Sequence, residues 1–142
     1  MRLEIFMKHK ICIFVFVVTA FVNTLAWAHG ESELGPNGGY IQMPSNFHTE
    51  VKANGAKSFD VYLLDLQFKN ATVENSEVKA SVKSKAGQET LKCEPVEGTH
   101  FMCTGQKEHK SGQLVITAKR LGIQAVPARY KLPFALTPMS HH

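Results

Sequence analysis

Two side chains of metal-binding type lie two positions apart in residues 47–51, where apolar and polar residues alternate. Successive residues of a β-strand point to opposite faces of a sheet. If the apolar side chains of this segment face the core, His48 and Glu50 lie side by side on the outer face. An imidazole next to a carboxylate suits Cu(II), Zn(II) or Ni(II), so the pair is a candidate metal site. The alternative is that both are ordinary polar residues of a half-exposed strand.

A second set of such side chains flanks the Glu-Gly dipeptide at 97–98, which is typical of a tight hairpin turn. In such a hairpin, Cys93 and Cys103 lie nearly opposite each other, close enough to form a disulfide bond. His100 and Met102 then share the outer face and form a candidate copper site. The alternative to the disulfide is a Cu(I) site built from both thiolates together with the thioether and the imidazole.

The first 28 residues have the layout of a secretory signal peptide. A basic segment at 8–10 precedes an apolar segment at 11–22, and Ala-Trp-Ala at 26–28 supplies a small-x-small cleavage site. Cleavage there makes His29 the first residue, with an α-amine and an imidazole able to bind one metal ion. The sequence therefore predicts export and adds His29 to the candidate ligands. An uncleaved membrane anchor is the alternative.

The composition excludes several classes of function. No run of Lys and Arg interleaved with aromatic residues is present, so nucleic-acid binding is not supported. No nucleophile or zinc-protease motif occurs, and we expect no catalytic residue and no enzyme. The one enzymatic alternative is oxidative copper chemistry at His29 and His48, which the absence of an aromatic platform for a substrate disfavours. After cleavage of the leader, we expect no contact with the membrane.

The elements that must position these side chains are short strands. Apolar residues recur at every second position in four further segments, at 59–63, 78–82, 114–118 and 126–136. Pro127 and Pro133 share the other phase of the last segment, which predicts an edge strand with both prolines turned away from its neighbour.

Turn dipeptides rich in glycine separate these segments. Short strands at this spacing predict an all-β fold, a single Ig-like antiparallel β-sandwich of about seven strands. We expect the sandwich to span 38–136, preceded by a flexible N-terminal arm at 29–37 and followed by a short tail at 137–142.

Three segments carry a resemblance to a known family: Gly-Pro-Asn-Gly-Gly at 35–39, His-Thr-Glu-Val at 48–51 and Val-Tyr-Leu-Leu-Asp at 61–65. With His29 after the leader, the chain resembles small bacterial periplasmic proteins. It is also similar to the N-terminal heavy-metal-associated module of periplasmic adaptor subunits in RND efflux systems. The resemblance implies an Ig-like sandwich and a role near copper or related metals. Asn37 stands where some members have a histidine, which removes one ligand.

The sequence thus predicts an exported periplasmic protein that binds or delivers a heavy-metal ion, copper first and zinc as the alternative. Its partner would be an efflux component or a metallochaperone. The candidate ligands are His29, His48, Glu50, His100 and Met102. The alternative from another class is a metal-free Ig-like module that binds a protein partner in the bacterial envelope, for which an exposed strand edge is one means of recognition.

Overall fold

Nine strands make up the regular structure of residues 33–136, the part of the chain that the computed structural model describes. All paired strands are antiparallel, so the predicted all-β sandwich is confirmed, with nine strands instead of about seven. Within this part of the chain, no helix is long and apolar enough to cross a membrane. The strands are β1 (Tyr40–Gln42), β2 (His48–Ala53), β3 (Ser58–Leu64), β4 (Glu77–Ser84), β5 (Gly87–Val96), β6 (His100–Thr104), β7 (Gly112–Arg120), β8 (Ile123–Gln124) and β9 (Ala128–Leu132).

The strands follow the order β1-β2-β3-β6-β5-β4-β7-β8, with β9 also paired to β7. The long strand β5 belongs to both layers of the sandwich. Its first half pairs with β4, up to the pair Ala80↔Leu91, and its second half pairs with β6, from the pair Lys92↔Thr104 onward. Strand β5 therefore passes from one layer to the other without a loop, which gives the sandwich a barrel-like form.

The opposite side of the sandwich is closed by side chains. The amide of Gln42 on β1 donates to the carbonyl of Arg129 on β9 and accepts from its N–H at 3.0 Å. The Tyr130 hydroxyl lies 2.6 Å from Thr49 Oγ1 and donates to the Thr49 carbonyl at 2.8 Å. Both layers thus bury one core, lined by the apolar phase of each long strand.

The C-terminal strand is shorter than its sequence pattern predicts. The apolar alternation extends over 126–136, but only Ala128–Leu132 forms β9, because only the segment from Gly112 to Ile116 of β7 faces it. Val126, at one end of the alternation, is 63% exposed. Pro127 and Pro133 flank β9 in the same phase as Arg129, whose N–H points to Gln42 and away from β7, as the sequence suggests.

The predicted signal peptide at 1–28, the candidate ligand His29 and the tail at 137–142 lie outside the described residues. Of the predicted arm, residues 34–37 contact the domain. Leu34 forms a β-bridge with Tyr40, and Gly35 N donates to the Gly39 carbonyl at 2.7 Å. This places the glycine-rich turn, residues 35–39, against the outer face of β2.

Candidate metal centre

The outer face of β2 is covered, although the sequence predicts that it is exposed. His48 is 4% exposed and Glu50 is fully buried. They do share a face, since they pair with Leu64 and Tyr62 of β3. The glycine-rich turn covers Glu50, and the turn after β3 covers His48. Alternation along one strand predicts which side chains share a face, but not which distant segment covers that face.

Glu50 is fully engaged in holding the glycine-rich turn. Its Oε1 accepts hydrogen bonds from the backbone N–H groups of Asn37 and Gly39, each at 2.8 Å, and its Oε2 accepts from Asn37 Nδ2 at 2.9 Å. A Cβ added at Gly35 would lie 2.5 Å from Glu50 Cδ, and one added at Gly39 would lie 2.8 Å from Glu50 Cγ. The Gly-Pro-Asn-Gly-Gly and His-x-Glu motifs are therefore two halves of one structural unit, and the geometry does not present this carboxylate to a metal ion.

His48 is held in a defined orientation and tautomer. Its Nδ1 lies 2.9 Å from the Asp65 carbonyl oxygen, which can only accept, so Nδ1 carries the proton and Nε2 keeps its lone pair in the neutral ring. Phe68 stacks on the imidazole with centroids 4.0 Å apart. A backbone carbonyl on one ring nitrogen is the usual support of a metal-binding histidine. The structure does not bring His48 together with His100, which lies two strands away on β6.

Phe68 is presented to His48 by a tight turn built on Asp65. The Asp65 carboxylate accepts from the N–H groups of Gln67 and Lys69, both at 2.9 Å, and from Asn70 Nδ2 at 2.7 Å. These bonds, with that of Lys69 the strongest, hold the pKa of Asp65 below its ordinary value. Phe68 itself has a φ of 61°, a conformation that non-glycine residues rarely adopt outside turns.

A different group of side chains converges on the outer face between β3 and β6. Asp60 pairs directly with Met102 across these strands. Its Oδ1 lies 3.6 Å from His100 Nε2, and the two side chains are 8% and 14% exposed. His100 and Met102 therefore share the outer face, as the hairpin predicts. Sequence reasoning missed Asp60, because its proximity depends on the register between strands about 40 residues apart in the chain.

Neighbouring residues hold each member of this cluster in place. Thr99 Oγ1 lies 2.8 Å from His100 Nδ1, so Nε2 is directed to Asp60. The Tyr62 ring stacks on the imidazole with centroids 4.8 Å apart. Burial, helped by the Asp60 and Glu50 carboxylates, raises the pKa of Tyr62, so the stacked ring stays neutral at physiological pH.

The cluster offers an imidazole nitrogen, a carboxylate oxygen and a thioether sulfur. Two ligand atoms bonded to one tetrahedral ion at about 2.0–2.2 Å lie roughly 3.4 Å apart, close to the observed 3.6 Å between His100 Nε2 and Asp60 Oδ1. Among residues 33–136, no group of three or more His, Cys, Asp and Glu side chains is placed to hold a metal. A metal ion at this cluster therefore depends on Met102 as its third protein ligand, and thioethers select Cu(I).

Cys93 and Cys103 form a disulfide bond, as predicted, with their Cα atoms 4.0 Å apart. They are a directly opposed pair of β5 and β6, and Cys103 is fully buried on the core side. Neither sulfur is a thiolate in this form, so the alternative Cu(I) site made of both thiolates is absent from the oxidised protein. The disulfide instead holds β6 to β5 on the core side of the hairpin, whereas His100 and Met102 lie on its outer side.

No family model, curated protein or solved structure matches this chain.

Proposed function

We propose that this protein is an exported periplasmic protein that binds a copper ion and delivers it to a protein partner, an efflux component or a metallochaperone. The observation that carries the proposal is the meeting of Asp60, His100 and Met102 on two adjacent strands. All three side chains project from paired β-strands, and ligands that the fold already holds in place favour binding.

The ligand types favour copper over zinc. Structural and catalytic zinc sites use cysteine, histidine and carboxylate ligands, whereas thioether ligands are typical of copper. His100 and Met102 are also only partly buried, so an ion bound there would have solvent on one side. Such an open position suits transfer to a partner better than permanent storage.

The leader and the disulfide support an extracytoplasmic location. Disulfide bonds form and persist in oxidising compartments and are rare in the cytosol. The resemblance to periplasmic metal-associated proteins points to the same compartment. The metal-free alternative, recognition of a protein partner by strand addition, is less well supported, because Gln42 occupies the free edge of β9 and prolines without N–H groups flank this strand on both sides.

A copper titration of the protein purified from the periplasm tests this proposal. We expect Met102→Leu and His100→Gln each to weaken Cu(I) binding by about tenfold or more, since even the loss of a supporting residue costs about 10–100-fold in metal affinity. Competition with a chromophoric Cu(I) chelator measures the dissociation constant.

The matched control is Met43→Leu, because Met43 is an exposed methionine beyond the end of β1. Equal losses in Met43→Leu and Met102→Leu would contradict the proposed site. A chain with one additional Ala before His29 tests the other candidate location, since tight Cu(II) binding that is lost on extension would place the ion at the N-terminal amine, with His48 as its partner.

A further inference from the structure

We infer that Asn54 competes with the metal ion: its side-chain amide contacts the Asp60 carboxylate and the Met102 thioether, two of the three groups that a bound ion would contact. This inference rests on the proposed function and concerns the regulation of the same site. It assigns to Asn54 the role of lowering the affinity of the site and of keeping its ligands in place when no ion is bound.

The contacts of a single nitrogen atom carry the inference. Asn54 Nδ2 lies 3.1 Å from Asp60 Oδ1, 3.2 Å from Asp60 Oδ2 and 4.0 Å from Met102 Sδ. The nitrogen of the amide must face the carboxylate, because only the NH₂ group can donate to its oxygens. Both oxygens and the sulfur thus face one electropositive group, as they would face a cation.

The amide and an ion compete for the negative charge of the same carboxylate. Asp60 Oδ1 is the oxygen nearest to His100 Nε2 as well as to Asn54 Nδ2. An ion bound between the imidazole and the carboxylate repels the partial positive charge of the NH₂ group. We therefore expect the amide to turn away from Asp60 Oδ1 when the ion binds, so that its hydrogen bond there is exchanged for a metal–ligand bond.

The position of Asn54 makes this exchange feasible. It is an exposed residue directly after β2, at the β2–β3 hairpin. The hairpin itself is held by its backbone, through the bond from Asn54 N to the Ser58 carbonyl at 2.8 Å, and Gly55 takes a φ of 76°. Rotation of the side chain alone releases the site and leaves the hairpin unchanged.

The competing role, rather than a ligand role, follows from the chemistry of the site. Rotation about the last side-chain bond would bring the amide oxygen to the ion in place of the nitrogen. Amide oxygen is a hard ligand suited to magnesium and calcium, whereas the thioether of Met102 selects Cu(I). Removal of the amide should therefore strengthen Cu(I) binding and not weaken it.

The test compares Cu(I) dissociation constants of the wild-type protein, Asn54→Ala and the control Asn46→Ala, all with an intact Cys93–Cys103 disulfide. Asn46 is also an exposed loop asparagine, located before β2. We expect Asn54→Ala to bind about tenfold more tightly, equivalent to about 1.4 kcal/mol, and Asn46→Ala to bind as the wild type does. A thermal melt without metal verifies that each variant is folded.

A second readout follows the amide directly. In the ¹⁵N-labelled wild-type protein, the side-chain NH₂ resonances of Asn54 should shift on addition of Cu(I), while those of Asn46 should stay in place. If the wild type binds copper but Asn54→Ala binds equally or more weakly, the inference is wrong and the proposed function stands. If neither protein binds copper, both fail. Binding by Asn54→Ala alone would show that the amide blocks the site.

Discussion

Glu50 illustrates how a residue chosen for its chemistry can have a structural role. A carboxylate next to a histidine is a reasonable metal ligand, and both oxygens of Glu50 would be free on an exposed strand. In the folded protein, three N–H donors from Asn37 and Gly39 surround them instead. Hydrogen bonds to an ionised carboxylate are stronger than those between neutral groups, so this single side chain orders the whole glycine-rich turn.

Substitution of Glu50 by Gln tests this role at the residue scale. A flip of the Asn37 amide can satisfy the new NH₂ group, but the hydrogen bonds from Asn37 and Gly39 then go to a neutral acceptor, and the change from charged to neutral hydrogen bonds costs about 1–2 kcal/mol. We expect the free energy of unfolding in urea to fall by this amount. The control is Glu94→Gln, since Glu94 is an exposed residue paired with Lys92, and solvent-exposed ion pairs contribute little to stability. Equal losses of unfolding free energy in the two variants would contradict the role of Glu50 in holding the glycine-rich turn.

At the scale of elements, the β5–β6 hairpin is the unit that holds the proposed copper ligands. Its turn residues Glu97 and Gly98 both adopt positive φ, at 52° and 70°, which suits the twist of a tight hairpin. With Thr99 as the third loop residue, Val96 pairs with His100, and this register places the two cysteines opposite each other on the core side. It also places His100 and Met102 on the outer side. The disulfide and the candidate site therefore lie on opposite faces of the same hairpin.

Removal of the disulfide by the double substitution Cys93→Ala and Cys103→Ala should destabilise the protein. A crosslink that closes a loop of this length contributes about 2–3 kcal/mol in the loop-entropy account, and the sequence separation here is 10. Urea unfolding of the double variant and of the oxidised wild type measures the difference. Equal midpoints and slopes for the two proteins would contradict a stabilising role of the crosslink.

At the scale of the whole molecule, the two layers are joined differently on their two sides. On one side β5 runs from one layer to the other, and on the other side Gln42 and Tyr130 bridge β1, β2 and β9 by side-chain hydrogen bonds. The second junction depends on buried polar groups. Burial raises the pKa of Tyr130 strongly, so this phenol must stay protonated for the closed form to persist.

The stability of the whole domain should therefore fall on both sides of neutral pH. Asp65 and Glu89 have lowered pKa values, caused first by backbone N–H groups of Lys69 and Gln106. Their contribution is present above their ordinary values of 3.8 and 4.5 and is lost as the pH falls through the lowered values. Tyr62 and Tyr130 have raised pKa values, so above their ordinary value of 10.0 the unfolded chain releases protons first and stability falls.

Melting temperatures measured from pH 2 to pH 11 provide the check on this profile. The variant Tyr130→Phe should be less stable at pH 7, because it loses the hydroxyl bonds to Thr49, but its stability should decline less steeply above pH 9. Asp65→Asn should likewise make the decline in melting temperature at acidic pH less steep. An alkaline decline as steep in Tyr130→Phe as in the wild type would show that another group is responsible.

The sequence by itself determined the features that depend on local physics. Alternation of apolar residues located β3, β4 and β7, and the Glu-Gly dipeptide located the turn of the β5–β6 hairpin, so the disulfide and the shared face of His100 and Met102 could be predicted. These features need only the two-residue period of a strand and the backbone preferences of turn residues. The prediction over 126–136 was too long, because the extent of β9 is set by its pairing with the segment from Gly112 to Ile116 of β7, which alternation does not encode.

The tertiary structure alone decided which side chains are covered and which distant ones meet. Alternation placed His48 and Glu50 on one face, but only the folded chain brings the Asp65 turn and the glycine-rich turn over them. Asp60 and Asn54 join His100 and Met102 only because β3 pairs with β6, and no local pattern fixes that pairing. The physical reason is that burial and long-range register depend on the packing of all strands at once, whereas periodicity reports each strand separately.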